Sequence, residues 1–438
     1  MNELSGARRS AVLSAAFRGA LAACSMLLLL VVVRILGERE AGRFYIAFGL
    51  TTLGASLGQA GMNHLLSRRV AASPDARSVR QAWRTGLHRA LKGSLLVALV
   101  LLLGAPLLGT LFDDPALVVP LRLLALAVVP LTVLLVVAET WKGLDRPLLS
   151  MTAQVGVVPL VAIPPVWMLS AHGAAGAAAA YSMAALLTAI LALAAVHRSL
   201  PALGSAPASV LGEPGIAGSA SATFLYGVLT LVHARAAPLL LGALRGSEAV
   251  VLLEVATRVL TVPTLLLAGI NTMLAPRLAR LHQAGRPEAL VAQCRSVSRV
   301  ALVLIAPLLV LTCALHAPIA HLFGLSGAPL APLFLCLAVG EAVNLATGPA
   351  TLVLLMSGHE RAVRNLSLLA TATSIAVGAW AIGLWGATGA AIGYSTGIAG
   401  INLGTVLVAR RALGVWTSPF APAIPLPVHE PEEPARAA

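Results

Sequence analysis

Apolar residues in this chain come in long unbroken runs, neither alternating with polar ones nor confined to one helical stripe. The runs lie near 11–36, 44–66, 87–112, 117–138, 148–169, 174–196, 222–244, 249–274, 300–322, 330–356, 365–384 and 387–408. A helix rises 1.5 Å per residue, so about 20 such residues cross a hydrocarbon layer. A membrane barrel would need two-residue alternation, which is absent, whereas a helix satisfies its own backbone hydrogen bonds in lipid. The pattern predicts an all-α polytopic membrane protein with about twelve transmembrane helices. The first run follows Arg8 and Arg9 and continues through Arg34 without a small-residue cleavage site, which reads as a retained first helix.

The gaps between runs fix an orientation. With both termini in the cytoplasm, 22 of the 30 Lys and Arg fall in cytoplasmic segments, and only Arg39, Arg43, Arg122 and Arg245 fall on the other side. That asymmetry is the positive-inside pattern and predicts a multi-pass protein of the bacterial cytoplasmic (inner) membrane. Within the basic segments, the spacing of Arg77, Arg80 and Arg84, and of Arg295 and Arg299, predicts short amphipathic helices lying on the cytoplasmic surface.

Residues 197–221 are poor in charge and rich in Pro, Gly, Ser and Ala, and they divide the runs six and six. The expected organisation is an N-terminal lobe over 1–196, this linker, a C-terminal lobe over 222–410, and a disordered Pro-rich tail over 411–438. The halves echo each other. Arg69-Val70-Ala71 is answered by Arg277-Leu278-Ala279, Leu111-Phe112 by Leu322-Phe323, and Gly143-Leu144-Asp145-Arg146 by Gly358-His359-Glu360-Arg361, at offsets of 208, 211 and 215. Equivalent motifs fall on the same side of the membrane, so the repeat is parallel, and two six-helix bundles facing each other leave a central cleft.

Composition agrees with this picture: 58% hydrophobic, 11% charged and a mean hydropathy of +0.90 exclude a soluble domain. The net charge of +13 raises nucleic acid as a partner, but the basic residues sit in short loops between spans, where they face anionic lipid. Cys24, Cys294, Cys313 and Cys336 lack metal-ligand spacing, no phosphate-cradling Gly-Lys-Ser/Thr loop occurs, and His359-Glu360 has no second His. No metal, cofactor or enzyme activity is expected.

The candidate chemistry is carried by charges within spans, because a charged side chain at the bilayer centre costs about 3 kcal/mol or more unless it pairs or meets water. Arg18 lies in the first span, Arg235 in the seventh near His233, and Arg258 in the eighth, four residues after Glu254. Arg18, Arg235 and Arg258 are read as lining a cavity for an anionic substrate, since a guanidinium fork suits phosphate oxygens. Glu254 and Arg258 can also touch along one helix face as a packing pair. Arg34, near the outer end of the first span, and Glu341 with Asn344 in the tenth are candidates for gating or ion coupling. Breaks or bends are expected at Pro130, Pro159, Pro164, Pro165, Pro263, Pro307 and Pro349.

Four stretches carry a family resemblance: Gly37-Glu38-Arg39-Glu40-Ala41-Gly42-Arg43-Phe44; Leu57-Gly58-Gln59-Ala60-Gly61-Met62-Asn63 with Arg68-Arg69-Val70-Ala71; Pro276-Arg277-Leu278-Ala279; and Leu322-Phe323-Gly324 followed by Thr347-Gly348-Pro349 and Met356-Ser357-Gly358-His359-Glu360. In this order they resemble the multidrug/oligosaccharidyl-lipid/polysaccharide (MOP) exporter superfamily, and within it the polysaccharide-biosynthesis or O-antigen flippases. The resemblance implies a V-shaped two-lobed transporter that moves a polyprenyl-pyrophosphate-linked glycan, working beside a polysaccharide polymerase and glycosyltransferases. The lipid II branch implies cavity arginines at places similar to Arg18 and Arg258, but it has two further spans. The cation-coupled multidrug antiporters of the same superfamily are the alternative; their N-terminal acidic sites have only Glu139 here to answer them.

Overall fold

The computed structural model describes residues 2–59, 62–73, 75–153, 157–199, 217–325, 327 and 329–420. Sixteen α-helices occur among them, with no strand: α1 (Asn2–Gly58), α2 (Met62–Ala71), α3 (Ala76–Leu111), α4 (Val118–Ala125), α5 (Val128–Gly143), α6 (Pro147–Met151), α7 (Val157–Met168), α8 (Gly173–Ser199), α9 (Ala217–Arg245), α10 (Ser247–Gln283), α11 (Pro287–Ala314), α12 (His316–Phe323), α13 (Leu330–Thr347), α14 (Ala350–Met356), α15 (Glu360–Trp385) and α16 (Ala387–Leu413). They build twelve passes. α1 makes two, either side of Gly37; α4 and α5 form one pass bent by 41°; α6 with α7, α11 with α12 and α13 with α14 make one each. Pro130 and Pro349 each lie close after a break, where a missing N–H disfavours a straight helix.

The repeat is written into the backbone. Gly37 (φ 76°, ψ 172°) joins the first two passes, and Gly246 (φ 83°, ψ 174°) joins the seventh and eighth, 209 positions later. Asp113 and Gly324, Asp145 and Gly358, and Gly173 and Gly386 are further pairs with positive φ, at offsets of 211, 213 and 213. Such conformations are unfavourable for L-residues, so their recurrence at equivalent turns marks the two halves as structural copies. The third motif is thereby re-registered: Asp145 answers Gly358, two positions off the expected match.

Each half packs mainly within itself. α7 and α8, α3 and α5, and α2 and α5 associate in the first; α15 and α16, α9 and α15, and α13 and α16 in the second. The sixth and twelfth passes are rich in buried small residues, including Ala177, Ala178 and Ala185 on α8 and Gly389, Ala390 and Gly393 on α16. Small side chains let backbones approach where lipid offers no hydrophobic drive. The halves meet chiefly along α1 and α10. Near the ends of those helices at Gly37 and Gly246 the approach is backbone to backbone, since a Cβ on Gly42 would overlap the Ser247 carbonyl. Outward, Leu103 and Leu107 on α3 are each 73% exposed, a surface that belongs against acyl chains.

Three expectations change. Arg77, Arg80 and Arg84 do not lie on a separate surface helix: α3 runs unbroken from Ala76, where Asp75 accepts a hydrogen bond from the Ser78 N–H at 2.9 Å and starts the third pass directly. Arg295 and Arg299 likewise lie on α11 itself. The tail expected to be disordered over 411–438 begins as ordered chain, with 411–413 completing α16. Residues 414–420 fold back as a strap, where Thr417 Oγ1 donates to the Thr347 carbonyl (2.7 Å) at the α13–α14 break and Ser298 Oγ donates to the Thr417 carbonyl (3.0 Å). The broken pass leaves carbonyls without helical partners, and the strap supplies one. Most of the expected linker (200–216) and residues 421–438 lie outside the described residues.

Gly37→Ala and Gly246→Ala are each expected to lower stability by about 1–3 kcal/mol, because the conformation is reserved for glycine. Gly104→Ala, in mid-helix with open space around it, is expected to raise stability by about 0.5–1 kcal/mol. Thermal unfolding of the purified protein in detergent measures all three, and a loss at Gly104 equal to that at Gly37 would refute the conformational account.

Candidate functional site

The intramembrane charges assemble where α1, α9 and α10 cross. α9 and α10 meet head to tail at Gly246, which brings Arg235 beside the second turn of α10. Glu254, 3% exposed, lies between two guanidinium groups: its Oε1 accepts from Arg235 Nη1 at 3.3 Å, and its Oε2 faces Arg258 Nε at 3.5 Å. One carboxylate thus serves two arginines, and the cluster keeps one net positive charge. Arg235 and Arg258 are 16% and 26% exposed, so neither is sealed off. Arg235 Nε is buried without a hydrogen-bond partner.

The first half supplies an aromatic wall. The Arg235 guanidinium lies 5.3 Å from the Phe48 ring centre, and Arg258 lies 5.9 Å from Phe48 and 6.0 Å from Tyr45. Rings facing a cation return part of the hydration it loses in a dry site. Tyr181 of α8 holds Phe48 edge-on at 5.2 Å. On the other flank of α9, His233 stacks on Tyr394 of α16 at 4.9 Å, in space that Gly397 leaves open, with its Nε2 buried and unpartnered.

The repeat shows how this site arose from two similar halves. At the offset of 209 set by Gly37 and Gly246, Tyr45 is the counterpart of Glu254 and Gly49 of Arg258; at 213, Tyr181 is the counterpart of Tyr394. The tyrosines on the sixth and twelfth passes are common to both halves. Among the described residues the charges of the cluster come from the second half, and Gly49 leaves room for the Arg235 stem.

Of the residues expected at the site, Arg235, Glu254 and Arg258 come together, with Glu254 bridging both arginines rather than pairing with Arg258 alone. The side chain of Arg18 lies outside the described residues. Arg34 is exposed and rests against Gly324, away from the cluster. Glu341 accepts from Asn344 Nδ2 at 3.1 Å on α13; no ion pair joins it to either arginine among the described residues. Tyr45, Phe48, Tyr181 and Tyr394 were not expected, although aligning the halves at offset 209 places Tyr45 against Glu254. Among the described residues no group of His, Cys, Asp and Glu is disposed to hold a metal ion.

Removing the bridge leaves two guanidinium groups facing each other in a poorly hydrated site, so Glu254→Gln is expected to lower stability by about 3 kcal/mol. The double variant Glu254→Gln/Arg235→Gln is expected to recover at least half of that loss. Thermal unfolding of the purified proteins completes the cycle, and additive losses would show that the contact carries no coupling.

The sequence pattern of the family described as "Polysaccharide biosynthesis protein" matches residues 10–282. No curated protein matches closely enough to count as a relative. Among solved structures, an inward-facing multidrug resistance MATE family transporter of the MOP superfamily is similar, with a TM-score of 0.68, 15% identity, and 92% of this chain and 97% of that one covered. A MOP superfamily transporter from Pyrococcus furiosus, described as having a binding pocket of reversed polarity that suggests a different function, gives 0.63 at 16% identity over 92% and 95%. These likenesses show the fold, and the sequence match supplies the family: the chain belongs to the polysaccharide biosynthesis protein family.

Proposed function

We propose that the protein is a flippase that moves a polyprenyl-pyrophosphate-linked oligosaccharide, a repeat unit of O-antigen, capsule or exopolysaccharide, across the bacterial cytoplasmic membrane by alternating access. The observation that carries this reading is the under-neutralised pair, Arg235 and Arg258 around Glu254, at the contact between the halves. A diphosphate brings oxygens that compete with the carboxylate for the same N–H donors, and each guanidinium can present a planar fork to it. The match to a polysaccharide biosynthesis family supports a glycan or lipid cargo. An organic cation would meet two guanidinium groups against one carboxylate, which disfavours multidrug antiport.

The distribution of Arg and Lys supports cytoplasmic termini. The Gly42–Ser247 contact then lies at the outer end, and the arginines lie beyond it toward the cytoplasm. In the proposed cycle the headgroup rises between the halves from the cytoplasmic side, meets Arg235 and Arg258, and leaves when the outer contact parts. The prenyl tail stays in lipid throughout. Glu341 with Asn344 is the ion-coupling carboxylate, and Arg34 against Gly324 is an outer gating contact. A polymerase and glycosyltransferases are the partners of such a cycle.

In liposomes, leaflet-specific detection of a labelled polyprenyl-pyrophosphate glycan is expected to show movement that Arg258→Gln and Arg235→Gln each slow by about tenfold or more, a loss of about 1.4 kcal/mol. Movement no faster than in empty liposomes, under imposed proton or Na⁺ gradients, would overturn the assignment. Wild-type rates in both variants would remove the arginines from it.

A further inference from the structure

Passes three and nine are equivalent helices, and one carries a cover that the other lacks. α3 begins at Ala76 and α11 at Pro287, 211 positions apart, and the buried Phe112 and Phe323 at the far ends of the two passes keep that offset. Their core positions coincide: Trp83 answers Cys294, Ala90 answers Ala301 and Ser94 answers Ile305, all buried. α11 buries Val291 and Ser298 as well, where the strap joins α10 and α14 on that face. Val415 packs in the same cluster as Val291, Ser298 Oγ holds the Thr417 carbonyl, and Arg299 Nε donates to the Pro419 carbonyl at 3.3 Å.

The matching positions on α3 are Arg80, Leu87 and His88, and among the described residues no strap of this chain covers them: Arg80 and His88 are exposed. The surface there is a shallow, largely open depression lined by α3 alone, with Arg84, Leu87, His88, Leu91 and Lys92 among its residues. At the position of the buried Val291, the open face has the exposed Arg80. Arg84 and His88 answer Arg295 and Arg299, so the open face keeps basic character at two positions of the covered one and adds Arg80 and Lys92 to it. One turn beyond Lys92 the helix turns lipid-facing, with Leu95, Leu99 and Leu103 exposed by 58%, 51% and 73%. From Lys92 to Phe112 is about 30 Å of helix, the thickness of a hydrocarbon layer, which sets the concavity at headgroup depth.

We propose that this depression on α3 is a binding site for the phosphate headgroup of an anionic bilayer lipid. Arg84, His88 and Lys92 surround the phosphate, Leu87 and Leu91 form the floor, and an acyl chain lies along Leu95, Leu99 and Leu103. The lipid then does for the first half what residues 414–420 do for the second, capping the exposed end of an equivalent helix.

Native mass spectrometry of the full chain, titrated with phosphatidylglycerol or phosphatidylcholine, tests the assignment. Phosphatidylglycerol is expected to be retained in preference. R84Q/K92Q is expected to weaken that retention about 10- to 30-fold, whereas R361Q/R364Q, with the same change in net charge at another turn, leaves it unchanged. Equal weakening by both doubles, or by neither, would overturn the site. Hydrogen exchange of the unaltered protein in nanodiscs needs no variant: phosphatidylglycerol is expected to protect 84–92 relative to phosphatidylcholine. Absence of that protection, or its appearance only with a polyprenyl diphosphate, would assign the depression to something other than bilayer lipid.

Discussion

Placing two arginines inside a membrane protein and leaving one of them without a full counter-charge is the constraint around which this molecule is organised. A guanidinium group in hydrocarbon cannot exchange its proton away near neutral pH, so it must be solvated by the protein or by water. Glu254 solvates both Arg235 and Arg258 in part, and the rings of Phe48 and Tyr45 take up more of the task. These partners come from α1 and α10, the elements through which the halves touch. The charge cluster therefore cannot be separated from the contact between halves: moving one half away removes aromatic cover from the arginines and admits water or cargo to them.

The duplicated architecture makes that coupling possible. Gly37 and Gly246 fold each helix pair back with nearly the same dihedrals, so α1 beyond Gly37 and α10 present equivalent faces to each other. Perfect copies would place like residues opposite like, either charge against charge or ring against ring. Here the copies diverge at the crossing, with Tyr45 where the second half has Glu254 and Gly49 where it has Arg258. One half supplies the charge and the other the aromatic surface and the space. The same divergence recurs at the basic end, where one helix is covered by the strap and its counterpart is open.

How much of this was legible in the sequence depended on the physical range of each signal. Hydrocarbon thickness acts on every residue of a span, so the twelve passes, and even the break at Gly348-Pro349, could be read from unbroken apolarity and Pro. The Glu254–Arg258 proximity was legible because i and i+4 share a helix face, whereas Arg235 reaches Glu254 only through the turn at Gly246, which spacing along one helix does not show. The aromatic wall was missed because Tyr45 and Phe48 look like ordinary core residues until the halves are superposed. The strap was missed because Pro-rich, weakly apolar sequence has no periodicity; what orders it is a set of carbonyl contacts with Ser298, Arg299 and Thr347, which no local pattern encodes.

The ratio of two arginines to one carboxylate has its own logic under the proposed function, in which the site must let go of what it binds. At an effective dielectric of about 20, opposite unit charges 4 Å apart attract by about 4 kcal/mol. Two unpaired guanidinium groups would hold a diphosphate with several such terms and release it slowly. Two guanidinium groups with two carboxylates would present no net attraction. With one carboxylate shared, the proposed anionic cargo would gain the surplus charge and displace Glu254 from its donors. On its departure Glu254 would return to them, so the carboxylate would offset part of the loss on release. In the proposed cycle the shared Glu254 would thus set binding strength in a range where both capture and release can proceed, at the contact whose parting that cycle requires.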